Sequence, residues 1–187
     1  FKCTFCAIPV IKHKVRYRGA KNIVDEMELI YDQCDGKYSF VDDVLTLNVK
    51  RSIELCDEIL RRGLGEKVRW IGMTRADIMT DELAKKLAMA GCENQFFGVE
   101  SGSPRIRAEV IDKDIPNEGI KNAVAHCIKH GIHTNFFLML GFPTETPQDI
   151  EDTINIGIEA EADIIGIHQT IPFPGTALYD EAVKEGQ

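Results

Sequence analysis

The sequence predicts an α/β fold, a partial (β/α)6-type TIM barrel of parallel strands. Short β-rich runs alternate with stretches of helical periodicity, which is the pattern of repeated βα units. Successive β-rich runs start 30, 27, 39 and 29 residues apart, close to the roughly 31 residues per unit of a complete barrel. An open doubly wound sheet has the same alternation, but the sequence contains neither a GxGxxG turn nor a P-loop, so that alternative loses support.

Five β-rich runs are visible, and we expect a further strand before Phe1. The runs occupy residues 38–42, 68–73, 95–99, 134–140 and 163–170. Parallel neighbours need a right-handed crossover between them, and a helical stretch fills each interval. The longest interval separates the third and fourth runs and predicts an extra short helix near Pro104–Ile111.

Apolar residues recur at helical spacing between the runs, over residues 23–34, 49–60, 83–87, 120–128 and 150–158. Thr80 and Thr146 precede such stretches and suit the N-cap position. After Thr146, Pro147 takes the first helical position and Asp149 the third, which predicts a helix start. Glycines end three of the helices, where a left-handed residue is favoured: Gly63, Gly91 and Gly131.

Composition is that of an ordinary globular chain, with 44% hydrophobic and 28% charged residues. The net charge of −8 argues against broad nucleic-acid binding. The longest apolar stretch, near residue 140, is shorter than the roughly 20 residues that a membrane span requires. The chain begins with Phe1 rather than Met, so we interpret residues 1–187 as one domain of a larger protein.

The six cysteines fall into two groups. Four stand alone in or beside predicted helices and are expected to be small core residues: Cys34, Cys56, Cys92 and Cys127. Their separation predicts a reducing, cytoplasmic compartment. Cys3 and Cys6 form a CxxC pair, which suits a redox dithiol, half of a zinc site or part of an iron–sulfur ligand set. No second CxxC or His pair follows at zinc spacing, and no helical period follows the pair as in a thioredoxin-like site.

Polar residues and permissive glycines follow every predicted strand. Because active sites of parallel βα folds gather at the carboxyl ends of the strands, we expect one cleft there. The candidates for this cleft are Asp42, Asp43, Arg75, Glu100, Gly141 and His168. His168 also suits an ordinary strand histidine with a satisfied hydrogen bond.

The opening FKCTFCAIP resembles the end of the CxxxCxxC loop of radical S-adenosylmethionine (SAM) enzymes. In that family three cysteines hold a [4Fe–4S] cluster, and the fourth iron binds SAM. The resemblance makes Cys3 and Cys6 the second and third ligands and places the first upstream of Phe1. Phe5 matches the aromatic residue that lies near the adenine of SAM. With two thiolates in this chain, we expect residues 1–18 to be poorly anchored in the absence of metal.

The resemblance covers essentially the whole chain. Strand-end motifs of the branch that often carries an N-terminal cobalamin-binding domain follow in order: FVDDVLTLN, WIGMTRAD, FFGVESGS, LMLGFPTET and PFPGTALY. Each motif is weak alone, whereas five in the right order and spacing are specific. Cobalamin is therefore a further expected cofactor, bound by a domain outside this chain.

The resemblance also implies roles for strand-end residues. Asp42 and Asp43 occupy the place of a Gly-Gly-Glu segment that contacts the SAM amino group, although the glycines are absent here. Arg75 is implied at the SAM carboxylate and Glu100 at the ribose hydroxyls. Gly141 would allow close approach to the adenine, with Ile171 and Pro172 along its other side.

The activity implied by the resemblance is reductive cleavage of SAM to a 5′-deoxyadenosyl radical, which abstracts hydrogen from an unknown substrate. Two alternatives remain open: a non-catalytic ligand-binding barrel module, and a dithiol–disulfide oxidoreductase that uses Cys3 and Cys6. The implied partners are the substrate and an electron donor such as a flavodoxin or ferredoxin. The basic stretch from Lys12 to Arg18 could touch RNA, but we favour a solvated loop across the barrel mouth.

Overall fold

Five parallel strands form one sheet whose order follows the sequence. The computed structural model describes residues 2–11 and 14–186, so Lys12 and His13 of the basic stretch lie outside the described residues. Neighbours in the sheet are neighbours in the chain throughout, and the sheet curls into a half-barrel. The strands are β1 (Lys37–Ser39), β2 (Arg69–Thr74), β3 (Cys92–Glu100), β4 (His133–Leu140) and β5 (Ile164–Gln169). The predicted α/β half-barrel of parallel strands is confirmed.

Eight α-helices occur within the described residues, and a helix separates each pair of consecutive strands, as the periodicity predicts. The helices are α1 (Ile8–Ile11), α2 (Ala20–Leu29), α3 (Tyr31–Cys34), α4 (Val49–Arg61), α5 (Asp81–Met89), α6 (Asn117–Lys129), α7 (Pro147–Glu159) and α8 (Ala177–Lys184). A π-helical turn, Ile106–Val110, lies within the predicted extra helix near Pro104–Ile111. None of the helices in the described part of the chain is both long and apolar enough to cross a membrane.

The local signals work as expected at most helix ends. The Thr80 side chain accepts a hydrogen bond from the backbone N–H of Leu83, and Thr146 with Asp149 forms a capping box. The predicted C-terminal glycines all have positive φ, +68°, +89° and +73° in chain order. The stretch 23–34 differs, because it divides at Ile30 into α2 and α3. The two helices α1 and α8 have no counterpart in the sequence prediction.

The core lies between the convex face of the sheet and the helices. Alternate side chains of each strand point to opposite faces, and Phe97 packs edge-on against Phe136 at 6.1 Å within this core. Phe96 and Phe137 therefore point to the concave face, where their rings stack at 5.4 Å. The concave face is thus partly aromatic, and the convex face holds most of the buried apolar side chains.

Asp149 ties the start of α7 to the loop after β3. Its carboxylate accepts hydrogen bonds from Ser103 Oγ at 2.5 Å, Arg105 Nη2 at 2.5 Å and Thr146 N at 2.9 Å. The Asp149 side chain is buried. The hydrogen bonds from Ser103, Thr146 and Arg105 hold the pKa of its carboxyl well below the usual range. Asp149 therefore stabilises the fold in its charged form.

We expect Asp149→Asn to lower the free energy of unfolding by about 1.5–3 kcal/mol at pH 7, because it removes charge-assisted hydrogen bonds. A depressed pKa contributes stability above the unfolded value of about 3.9 and loses it as the pH falls. The difference from the unmodified protein should therefore shrink below about pH 4. Urea unfolding at several pH values measures both effects.

Glu151→Gln is the matched control, because Glu151 is exposed on the same helix. Equal destabilisation by the two variants would show that Asp149 contributes no more than a surface carboxylate.

Candidate functional site

The CxxC pair sits on a loop that other parts of the fold hold in place. The backbone N–H of Cys6 donates to Cys3 O at 3.0 Å, which closes a tight turn. Thr4 N donates to Ile111 O at 3.0 Å, and Thr4 Oγ1 donates to Val110 O at 2.6 Å. The expectation that this segment is poorly anchored is therefore wrong for Cys3–Cys6, since backbone carbonyls of the β3–α6 connection hold Thr4.

Phe5 adds an apolar contact to this anchor. Its ring meets that of Phe142 edge-on, with centroids 6.1 Å apart. Phe142 follows β4 and packs with Ile106 and Ile111 in a small apolar cluster that also contacts Cys3. On the far side, Leu178 N donates to Thr4 O at 3.1 Å. The loop thus contacts the β3–α6 connection, the residue Phe142 after β4 and the start of α8.

Glu100 ends β3 with its carboxylate paired to a buried lysine. Lys113 Nζ lies 3.0 Å from Glu100 Oε1 and also donates to Gly98 O. The Glu100 backbone is in the left-handed region, with φ of +69°, next to a register shift between Gly98 and Glu100. Such strain in a residue other than glycine is typical of functional sites, where the surrounding structure enforces it. Lys113 carries no signal in the sequence, because its position depends on the fold of the long β3–α6 connection.

Arg75 lies at the end of β2 in a bidentate pair with its neighbour. Arg75 Nε and Nη2 donate to the two carboxylate oxygens of Asp77 at 2.9 and 2.8 Å. The arginine is buried. Sequence reasoning placed Arg75 at this rim but did not foresee that Asp77 would engage its guanidinium.

The charges of Lys113, Arg75 and Glu100 affect the pKa of the Cys3 thiol. Burial raises the pKa of the Cys3 thiol, while the positive charges of Lys113 and Arg75 oppose that rise and the negative charge of Glu100 adds to it. The cysteine therefore lies within electrostatic range of residues from the ends of β2 and β3. Arg75 and Glu100 both lie at the carboxyl end of the sheet, as the cleft prediction requires.

Gly141 follows β4 at the edge of a cavity of about 320 Å³. Its φ is +92°, and its backbone N–H donates to Glu145 Oε2 at 2.6 Å. Glu145 Oε1 is buried and has no hydrogen-bond partner among the described residues. Pro172 lines the same cavity, whereas the side chain of Ile171 is 56% exposed. The structure thus brings Gly141 and Pro172 together.

The remaining predicted residues lie nearer to solvent. Asp42 and Asp43 are exposed in the loop after β1, at the same carboxyl end of the sheet. His168 is exposed and its ring lies 5.6 Å from that of Phe137. These three residues share the rim or the concave face with the site, but no described contact joins them to Cys3.

Arg107 holds together the β3–α6 connection, on which the site depends. Sequence reasoning did not predict this role. Its guanidinium donates to Ser101 O at 2.6 Å and Ile115 O at 2.9 Å, and also to Asn117 Oδ1. The residue is 1% exposed, and burial lowers the pKa of Arg107 to about 10. It closes the β3–α6 connection that carries Lys113 and the carbonyls that hold Thr4.

We expect Gly98→Ala to disturb the Glu100–Lys113 pair while the fold persists. A Cβ on Gly98 would stand 2.5 Å from Glu100 Oε1 and 3.4 Å from Lys113 Nζ. The carboxylate must then move, at a cost of about 1–3 kcal/mol. Urea unfolding measures the loss of stability.

Gly119→Ala is the control, since its Cβ would meet Pro116 at 3.5 Å, an ordinary contact in α6. That variant should be neutral or slightly more stable. If both variants behaved alike, the close packing of Glu100 over Gly98 would be wrong.

The family model of the Radical SAM superfamily matches residues 1–156. An uncharacterized methyltransferase of Pyrococcus horikoshii is 32% identical over 98% of this chain and 40% of its own length. The anaerobic magnesium-protoporphyrin IX monomethyl ester cyclase of Cereibacter sphaeroides is 30% identical over 97% of this chain and 30% of its own length. The chain therefore spans less than half the length of these relatives.

A solved structure shares the fold at lower sequence identity. The radical SAM methyltransferase TsrM from Kitasatospora setae, solved with cobalamin and a [4Fe–4S] cluster bound, superposes with a TM-score of 0.87 at 22% identity, over 99% of this chain and 35% of TsrM. The family model covers most of the chain, and its members bind a [4Fe–4S] cluster and SAM. The chain belongs to the Radical SAM superfamily.

Proposed function

We propose that this chain is the core of a radical SAM enzyme that binds a [4Fe–4S] cluster through Cys3 and Cys6 and binds SAM at the strand-end rim. The observation that carries the proposal is the anchoring of the CxxC loop to the β3–α6 connection through Thr4. This anchoring puts Cys3 within electrostatic range of Lys113, Arg75 and Glu100. A third ligand cysteine is expected upstream of Phe1. We also propose that the whole chain, residues 1–187, forms one core domain.

The residues present fit the cluster. Cys3 and Cys6 are joined by one tight turn and are half-buried, which shields a metal centre without closing it off. Burial raises the pKa of the Cys3 thiol, and the cations of Lys113 and Arg75 oppose that rise. Burial also raises the pKa of Cys56 and of Cys127, to about 12, which suits inert core thiols.

The rim also fits SAM. The cavity beside Gly141 and Pro172 would receive the adenine. Glu145 holds the backbone N–H of Gly141 at the edge of this cavity, at 2.6 Å. Glu100 would accept hydrogen bonds from ribose hydroxyls. Phe5 and Ile171 would flank the adenine.

The charged ends of SAM would meet charged residues. Arg75 keeps its implied role at the SAM carboxylate, and we add Lys113, whose charge has the larger effect on Cys3. Asp42 and Asp43 would face the amino group from the β1 loop. The residues of this chain thus bind and orient SAM and exclude water from it.

A cluster held by Cys3 and Cys6 would supply one electron for the cleavage of SAM to methionine and a 5′-deoxyadenosyl radical, and that radical would abstract hydrogen from the substrate. The substrate is unknown, and the concave aromatic face of Phe96 and Phe137 would border it. Methyl transfer and cyclisation are the reactions named among the relatives. A cobalamin-binding domain outside this chain and an electron donor such as a flavodoxin or ferredoxin complete the proposal.

The two other interpretations predict different behaviour. A dithiol–disulfide oxidoreductase needs Cys3 and Cys6 but neither iron nor Glu100. A non-catalytic ligand-binding module binds SAM or another small molecule without consuming it. The buried Glu100–Lys113 pair beside Cys3 favours the radical SAM function, since a dithiol reaction has no use for the carboxylate.

The test uses the complete protein, reconstituted with iron and sulfide without oxygen. We expect absorbance near roughly 400 nm from the thiolate-ligated cluster and, under a strong chemical reductant, formation of 5′-deoxyadenosine. Cys6→Ala should abolish both. Glu100→Gln should leave the absorbance and weaken SAM binding by about 1.5–3 kcal/mol, because hydrogen bonds to a charged group are lost.

Glu93→Gln is the matched control, because Glu93 is exposed near the opposite end of the same strand. It should change neither the absorbance nor SAM binding. A reconstituted protein that holds iron but never consumes SAM would contradict the proposed function and favour the ligand-binding module.

A further inference from the structure

The chain separates its charges sharply along the sequence. Residues 1–24 contain six Lys and Arg and no Asp or Glu, whereas the remaining residues hold 16 basic and 30 acidic side chains, a net charge of −14. The basic segment includes both cysteines of the candidate cluster loop. An acidic macromolecule would therefore be attracted to this segment and repelled by most of the remaining surface.

The same segment exposes apolar side chains. Val10 is 43% exposed, Ile11 70%, Val15 63% and Tyr17 47%. Exposed Lys14 and Arg16 lie among them in the chain, and Arg18 ends the segment in an ion pair with Glu26 at 2.5 Å. We call the described residues 10, 11 and 14–18 the basic strip. Exposed apolar side chains bordered by charged side chains are typical of a protein–protein interface.

The basic strip lies at the carboxyl rim of the barrel, beside the candidate site. Val10 is four residues from Cys6, so their Cα atoms are at most about 14 Å apart. Arg51, near the start of α4, donates through Nε to Arg18 O at 3.2 Å. Helices that follow strands begin at the carboxyl end of the sheet, which places Arg18 at that end.

RNA fits the strip less well than an acidic protein does. Tyr17 is the aromatic residue of the strip, and the Arg51 guanidinium covers its ring at 5.0 Å from the centroid, which leaves one ring face for stacking on bases. A polynucleotide also extends past a patch of this size onto acidic surface. A small protein can make its contacts within the patch.

We propose that the basic strip docks an acidic one-electron carrier protein that reduces the cluster. The inference rests on the proposed function, because a cluster that cleaves SAM must first receive an electron. In this step the carrier loses one electron and the cluster gains it, and no atom or proton moves between them. The apolar side chains bring the carrier close to the Cys3–Cys6 loop, and the basic side chains select an acidic carrier and orient it.

The experiment uses the complete, reconstituted protein with a purified flavodoxin and, separately, a purified ferredoxin. The variant is Lys14→Glu with Arg16→Glu, since neither side chain makes a hydrogen bond or ion pair with another described residue. We expect carrier binding and carrier-driven 5′-deoxyadenosine formation each to fall by about tenfold or more at low salt. Raising the salt concentration should reduce the difference from the unmodified protein. With titanium(III) citrate as reductant, the variant should match the unmodified protein.

The control variant is Lys37→Glu with Lys67→Glu. It makes the same change in charge at exposed positions near the starts of β1 and β2, on the opposite rim. It should leave carrier binding unchanged. Equal losses in the two variants would overturn the docking proposal and indicate a general effect of net charge.

Two further results would also overturn it. One is carrier-driven activity that stays unchanged in the basic-strip variant. The other is loss of binding to a tRNA transcript in that variant while carrier-driven activity is kept, which would assign the strip to RNA. Failure of the proposed function is distinct, because the unmodified protein would then produce no 5′-deoxyadenosine even with titanium(III) citrate.

Discussion

The geometry of the candidate site depends on the buried guanidinium of Arg107. A guanidinium out of water needs a partner for each of its donors, since an unsatisfied buried charge is costly. Here Ser101 O, Ile115 O and Asn117 Oδ1 accept one hydrogen bond from each of the three guanidinium nitrogens, and these acceptors come from both ends of the β3–α6 connection. The Arg107 side chain therefore fixes the conformation of the long β3–α6 connection.

That fixed loop supplies two parts of the site. It places Lys113 beneath Glu100, where the ammonium also meets Gly98 O. It also presents the carbonyls of Val110 and Ile111 to Thr4. The charges around Cys3 and the position of the CxxC loop thus share one origin, so a change in the connection should affect both together.

The sequence predicted those features that are set by local pattern. Alternation of β-rich and helical stretches placed all five described strands, and Thr146 with Asp149 marked the start of α7 correctly. Position after a strand was enough to bring Arg75 and Glu100 to one rim. These signals work because a strand period, a cap and a crossover each depend on a few neighbouring residues.

Features set by tertiary contacts were not predictable in the same way. In the sequence, Lys113 cannot be told from a surface lysine. Its burial beside Glu100 depends on the fold of the β3–α6 connection. Arg75 pairs with Asp77, and one Glu145 oxygen has no hydrogen-bond partner among the described residues. Both features depend on side-chain geometry that no spacing rule contains. The helix α8 was missed although Thr176 caps it, because no apolar period long enough precedes the end of the sequence.

The anchoring of Thr4 changes the expected relation between metal and fold at this site. In many small metal sites the ligand loop is ordered by the metal itself, so that binding free energy is spent on folding the loop. Here the backbone of the loop is held by Ile111, Val110 and Leu178, contacts that contain no metal. Under the proposed function, less ordering of the loop is then required for cluster binding, and the Cys3 thiol already lies within electrostatic range of Lys113. The fold therefore holds the proposed ligand loop in place through contacts of its own.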